Sequence, residues 1–392
     1  MSTLCILGRQ PEIGFAELES LYGASSIRVV SPIAALVDAV VPIARLGGTV
    51  KTARFLTETP STQLPVLLRH AQRLVGELAS NTPEGKVKLG ISFYGIEQSP
   101  RTINAMGLEL KKTLKRAGRS VRVVPNQAPE LSSAQTLHNQ LTSELGIELV
   151  FVKSGSSTLI GHVSGVQNIE AYTLRDRGRP KRDTRVGMLP PKLAQIIINL
   201  ASTRNDDTPS SRPLRLLDPF CGTGVVLQEA TLMGYDIYGT DIEERMIRYT
   251  RDNINWLFDT HNVHTDPFYE VADATDHVWR QPLDIVACEG YLGTPFASEP
   301  PESALRDSIA TCNLITKKFL KNIHEQLEPG TRLCIAVPSW NVRGRVHRLN
   351  MISELEQMGY IHHQLTLPLS QNLIYRRDDQ IVGRDLLVLI RR

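Results

Sequence analysis

The sequence predicts an α/β protein whose second half is a doubly wound, mostly parallel sheet closed by an antiparallel hairpin, preceded by two smaller modules. Three observations predict it. Leu214-Arg-Leu-Leu-Asp218 runs into a loop with two glycines and then into a helical pattern, which reads as strand, tight turn, helix. From there strand-like and helix-like runs alternate to the carboxyl terminus, as they do around a parallel sheet. The 392 residues, 41% hydrophobic and 22% charged, are normal for a globular protein but too many for one ordinary core, so two or three domains are expected.

Composition narrows the function classes. A net charge of +3 is too small to mark a nucleic-acid binder, so local clustering must carry that reading. The cysteines, Cys5, Cys221, Cys288, Cys312 and Cys334, are scattered and never spaced Cys-x-x-Cys, which supports neither a disulfide framework nor a zinc site. No metal is expected, and a reducing cytoplasm is. The amino-terminal apolar run is too short for a signal peptide, and no apolar stretch approaches the ~20 residues of a membrane span.

Residues 1–60 read as strand 3–8, helix 14–22, strands 26–30 and 34–40, and a helix near 50–56, which suits a small α+β, ferredoxin-like domain. The string Leu7-Gly-Arg-Gln-Pro-Glu-Ile-Gly-Phe-Ala-Glu-Leu-Glu-Ser-Leu21 is similar to the amino-terminal domain of one tRNA methyltransferase family. A packing and spacer role is expected of it. Residues 61–168 read as a second α/β domain: helix 64–80, strand 86–94, helix 104–117, strand 121–124, helix 133–141, and strands 147–154 and 158–166. Between 101 and 122 seven basic residues face the single acid Glu109. Lys111, Lys112, Lys115 and Arg116 are therefore candidate phosphate contacts, the plain alternative being a solvated helix face. In order and content this stretch resembles the THUMP domain, an RNA-binding module of tRNA-modifying enzymes, and the resemblance implies a grip on the tRNA acceptor end.

Residues 169–186 form a basic linker in which glycine and proline break any helix, with Arg175, Arg177, Arg179, Lys181, Arg182 and Arg185 expected along bound RNA. From Gly187-Met-Leu-Pro-Pro-Lys192 onward a helix starts at the paired prolines. That string is very similar to motif X of the tRNA guanosine-N2 methyltransferases, which implies that Met188 and Pro190 line a cofactor pocket in the domain 187–392.

In the loop Asp218-Pro-Phe-Cys-Gly-Thr-Gly224, the two glycines let a ligand lie against backbone, and Asp218 can accept its hydrogen bonds. A third glycine and a Walker lysine are missing, so pyrophosphate and triphosphate are poorly served. A compact cation with hydroxyls and an amino group fits better. The string resembles motif I of the S-adenosylmethionine (SAM) methyltransferases that modify exocyclic amines of RNA bases. The resemblance implies SAM as cofactor, against Asp218, Phe220, Cys221, Gly222, Thr223 and Gly224. Strand 236–240 ends at Asp241, seventeen positions beyond Gly224, where an acidic side chain takes ribose hydroxyls, with Ile242 beside it. An N-cap role for Asp241 is compatible with that. Asp273, followed by Ala274, ends a third strand and is placed at the adenine amino group.

Motif IV of the amine-methylating families ends its strand in Asp or Asn, Pro-Pro, and an aromatic residue. Here the corresponding frame is Glu289-Gly-Tyr-Leu-Gly293: both prolines are absent and the aromatic comes one place early. Glu289 can still accept N–H bonds and take a proton, and Tyr291 or Phe296 can stack on a base, so Glu289 and Tyr291 are the candidate catalytic residues. The remainder reads as helix 304–327, strand 332–337, helix 348–358, strand 361–367 and strand 385–392. The run 371–389 is close to the carboxyl-terminal hairpin of the same family, with Tyr375, Arg376, Arg377 and Arg384 as possible RNA contacts beside the plain reading of a charged turn. His362 and His363 are read as structural.

Taken together, the resemblance implies a SAM-dependent tRNA guanosine-N2 methyltransferase of the position-10 type, with tRNA as partner and a small activating subunit left open. A catalytically degenerate SAM- or tRNA-binding protein and a DNA amine methyltransferase are the alternatives.

Overall fold

The computed structural model describes residues 1–183, 188–202, 212–296, 298–368, 372–378 and 380–392. The chain forms two compact units, one of residues 1–11 and 22–171, the other of residues 12–21 and 172–392. Arg185, Gly187 and Gln371 lie outside the described residues.

The first unit holds β1 (Thr3–Leu7), β2 (Ile27–Ser31), β3 (Ala34–Val37), β4 (Thr49–Thr59), β5 (Val87–Tyr94), β6 (Val121–Val123), β7 (Gly146–Ser154) and β8 (Ser157–Val166) in one sheet of order β2-β3-β1-β4-β8-β7-β5-β6. The helix α1 (Pro11–Tyr22) has its residues 12–21 in the other unit; α2 (Leu64–Ser80), α3 (Pro100–Arg116) and α4 (Ser133–His138) belong here. The alternation along β7 sorts the sheet's two faces. Leu149 and Phe151 pack with α2 and α3 through Leu74 and Leu110, while Val150 and Val152 pack with Leu4 and Ile6 on the other side.

Two expectations change in this unit. The run 50–56, expected as helix, is the middle of β4, where β-branched Thr49, Val50 and Thr52 and pairing with both β1 and β8 outweigh a weak helical pattern. Because those two partners lie on either side of residue 60, the expected boundary between 1–60 and 61–168 falls inside a single sheet. Lys51, in β4, is buried against Glu148, which also accepts from Ser92 at 2.7 Å and Thr136 at 2.8 Å.

The second unit adds α5 (Ile169–Thr173, straddling the boundary), α6 (Pro191–Ala201), α7 (Val225–Leu232), α8 (Glu244–His261) and α9 (Glu302–His324). Its strands are β9 (Arg215–Asp218), β10 (Asp236–Asp241), β11 (Phe268–Val271), β12 (Ile285–Glu289), β13 (Arg332–Val342), β14 (Arg345–His347), β15 (Tyr360–His362), β16 (Ile374–Tyr375) and β17 (Val382–Arg391). The order is β11-β10-β9-β12-β13-β17-β15, with β14 on β13 and β16 on β17. The first five run parallel, and β17 is antiparallel to β13 and β15. Both faces are covered. Leu216, Ala287, Cys334 and Val388 face α6 and α7, while Leu217, Cys288, Ile335 and Leu389 face α9.

Helix α6 is buried almost all round, and α1 covers it: Asn199 donates to Glu17 at 2.7 Å, and Ser20 donates to the Asn199 carbonyl at 2.9 Å. The stretch expected as amino-terminal spacer thus belongs to the core of this unit. The segment 348–358 is a 3-10 turn over Asn350–Glu354 rather than a helix, tightened by Ser353 bonding the Asn350 carbonyl at 2.8 Å. The last two strands are also offset, with the 361–367 run reduced to β15 and β17 starting at Val382.

Candidate active site

Strand order reverses between β9 and β12, and a cavity of about 750 Å3 opens at their carboxyl ends. Asp218 ends β9, 2% exposed, and accepts from the Phe220 amide at 3.2 Å. Gly222 and Gly224 have φ of +50° and +82°, and a Cβ at Gly224 would come within 3.0 Å of Thr250. Helix α8 holds this loop. Thr250 donates to the Gly222 carbonyl at 2.9 Å, and Asn253 donates to the Thr223 carbonyl at 2.8 Å and exchanges bonds with the Lys181 backbone. Thr250 and Asn253 are polar residues on the buried face of α8, between Met246, Ile247, Ile254 and Leu257, and that placement is the sequence signal for their role.

Asp241 ends β10 and ties two loops together, accepting from the Gly222 amide and from the Glu243 amide, each at 2.9 Å. Phe220, Cys221, Thr223 and Ile242 join Asp218, Gly222 and Asp241 in the cavity wall, and Gly224 caps α7 behind it. Leu189 lines the cavity, whereas Met188 and Pro190 do not; Pro190 instead accepts from the first amides of α6. Asp273 and Ala274 lie outside the wall. Asp273 is exposed and accepts from the Thr275 amide at 2.9 Å, and Ala274 is buried under α9, its carbonyl bonded by Asn322 at 3.2 Å.

Glu289, at the end of β12, and Tyr291, 43% exposed, face the same cavity with Phe296. The two prolines of the family pattern are absent after Glu289, but the loop is fixed by packing: the Gly290 amide donates to the Ala336 carbonyl at 3.0 Å, and Gly293 sits on Ser308 and Cys312. Arg384 from β17 donates through Nε to Glu289 Oε1 at 2.6 Å. It is 7% exposed, so its expected role as an RNA contact is replaced by this pair. Glu289 Oε2 makes no hydrogen bond among the described residues.

The cavity favours a cation. Among the described residues, four carboxylates, from Asp218, Asp241, Glu243 and Glu289, line it against the guanidinium of Arg384. Burial pushes Asp218 well above the usual carboxylate range; the Phe220 amide opposes this, and Asp241 and Glu289 add to it. Burial also raises Asp241, against two backbone amides, and Glu289, against Arg384. A positive ligand relieves all three.

The basic segments divide. On α3, Lys112 pairs with Glu109 at 2.7 Å and Lys115 and Arg116 are exposed, with Lys111 half-buried. In the expected linker, residues Leu174–Gly178 form a π-helical turn, and Arg175 is buried, gripping Glu229 at 2.7 and 3.1 Å and stacking on Tyr172 at 4.6 Å. Arg179 is also buried, 3% exposed, so neither arginine lies on a surface that RNA reaches. Arg177 and Arg182 are exposed, and Lys181 is half-exposed, 3.6 Å from Asp252. Among the described residues no His, Cys, Asp and Glu group could hold a metal, and no helix is long and apolar enough to cross a membrane.

Residues 210–372 match the family model of a methyltransferase domain. The chain is 29% identical over 189 residues to the tRNA (guanine(10)-N2)-dimethyltransferase of Methanothermobacter thermautotrophicus, which covers 48% of this chain and 47% of the relative. It is 31% identical over 151 residues to the protein of the same name from Pyrococcus abyssi, 38% of this chain and 39% of the relative. The chain therefore spans about half the length of these curated relatives or less. The crystal structure of TrmN from Thermus thermophilus aligns over 100% of both chains with a TM-score of 0.50 at 16% identity, a likeness of fold. The chain thus carries a Rossmann-like methyltransferase domain and is similar to proteins named tRNA (guanine(10)-N2)-dimethyltransferase.

Proposed function

We propose that this protein methylates the exocyclic N2 amine of a guanosine in tRNA, of the position-10 type, with SAM as methyl donor. The observation that carries the reading is that Glu289 faces the same acidic cavity as Asp218 and Asp241, with one carboxylate oxygen free of hydrogen bonds among the described residues. SAM would supply a sulfonium-bound methyl there. Asp241 would take the ribose hydroxyls and Asp218 would add negative charge beneath the glycine loop; that both line the cavity and that its wall is acidic support this reading.

A base amine is a weak nucleophile because its lone pair is delocalised into the ring. Glu289 Oε2 would accept one N–H of that amine, turning the lone pair toward the methyl, and would take the proton as the N–C bond forms and the sulfonium's S–C bond breaks. Arg384 holds the other oxygen, so the carboxylate is aimed without the two prolines of the family pattern, and the guanidinium opposes the proton uptake that burial favours. Tyr291 supplies a ring at the cavity mouth on which a flipped base stacks. In the first unit, the exposed Lys112, Lys115 and Arg116 support a THUMP-like role in holding tRNA.

Incubating the protein with labelled SAM and an unmodified tRNA transcript, followed by nucleoside mass spectrometry, should yield N2-methylated guanosine. A second reading, a tRNA binder without turnover, is favoured by the Arg384 bond to Glu289; it predicts tRNA binding with no methyl incorporation.

A further inference from the structure

A second cavity, of about 410 Å3, is walled by one stripe of α9 (Arg306, Ala310, Asn313) and by β14 with the residues after it (Arg345, His347, Arg348). Among the described residues its wall contains three arginines, a histidine and two asparagines, but no carboxylate. The acids nearby are already engaged: Arg348 grips Asp385, and Glu302 and Glu299 pair at 3.9 Å with Arg306 and Arg343. Among the described residues the side chains of Arg345 and His347 have no hydrogen-bond or ion-pair partner.

The position of this cavity is set by the sheet. β13 runs parallel to β12 and extends past the level of Glu289 to Val342, where Arg343 (φ 51°) and Gly344 (φ 74°) turn the chain back into β14. Helix α9 begins at Glu302, after the loop 290–301 that leaves Glu289. That loop lines the methyl-transfer cavity through Phe296, and its Glu299 accepts from the Arg343 amide at 3.2 Å. Glu299 thus ties the loop that lines the first cavity to the turn that leads into β14, which walls the second.

We infer that this basic cavity binds a backbone phosphate of the RNA strand next to the nucleotide entering the methyl-transfer cavity. The inference rests on the proposed RNA substrate. Arg345 and His347 supply unengaged donors and Arg306 a weakly paired one, while Arg348, fixed on Asp385, keeps the wall positive. A flipped base needs its flanking backbone held, and a charged cavity beside the loop does this without reading sequence.

The test is a titration of unmodified tRNA across a salt series, with wild type and the Arg306→Ala/Arg345→Ala double variant, alongside SAM affinity by calorimetry. Neither arginine lines the SAM cavity, so SAM affinity should stay within about twofold and report intact folding. The slope of log affinity against log salt should become shallower by roughly 0.7–0.9, the increment of one lost phosphate contact. An unchanged slope with SAM binding intact overturns the inference and leaves the methyltransferase reading standing. Wild type that shows no salt-dependent tRNA binding overturns the RNA reading itself.

Discussion

At Glu289 two opposing effects meet: burial raises its proton affinity and Arg384 lowers it. Removing the cation leaves the burial effect unopposed, so the carboxylate protonates at higher pH. Arg384→Ala is therefore expected to shift the acid limb of the methylation profile toward alkaline pH, with activity partly recovered as pH rises, whereas a purely structural loss would lower the whole profile without moving it. Asp218 carries a related cost. Its folded pKa lies well above the unfolded value, so the unfolded state gives up its proton first, and stability falls as pH rises from the usual carboxylate range toward the folded pKa. Asp218→Asn should raise the melting temperature of the ligand-free protein near neutral pH, by roughly 2–4 °C for each kcal/mol relieved, while weakening SAM binding. Scanning calorimetry with and without SAM checks both halves.

Among the elements, those with clean periodicity were legible in the sequence: α2, β5, β7, β8 and α9 lie within a few residues of where the pattern puts them. The motif I loop was legible as well, because a strand, an acidic end and two glycines constrain the backbone together. What escaped was set by distant partners. Nothing local in 50–56 shows that β4 will pair on both edges. Arg175 and Arg179 sit in a string of basic residues that reads as exposed, yet Arg175 is drawn inward by Glu229. The signal was available in α7, where a carboxylate in an otherwise apolar helix needs a cation. Arg175→Ala should therefore destabilise the protein by about 3–5 kcal/mol, read by denaturant unfolding, and leave the salt slope of tRNA binding unchanged. Lys115→Ala with Arg116→Ala should do the reverse. Likewise Lys51→Met, which strands Glu148 without its cation, is expected to cost about 3–5 kcal/mol, measured in the same way.

Across the whole molecule the chain is interleaved: residues 1–11 belong to one unit, 12–21 to the other, and 22–171 to the first again. The amino-terminal segment that reads as a spacer supplies both an interior strand of one sheet, β1, and the cover of α6. A fragment starting at residue 61 lacks both, and a fragment starting at 172 exposes the apolar face of α6, so each is expected to aggregate rather than give a working half; size-exclusion chromatography reads this directly. The proposed chemistry depends on Glu289 presenting an amine to a methyl donor held in the acidic cavity. The most direct measurement is methylated guanosine formed in tRNA by wild type and by Glu289→Gln, with SAM affinity measured alongside. A fall in rate of roughly 10²-fold or more, with SAM affinity within about threefold of wild type, is the expected result. Full-rate methylation by Glu289→Gln would contradict it.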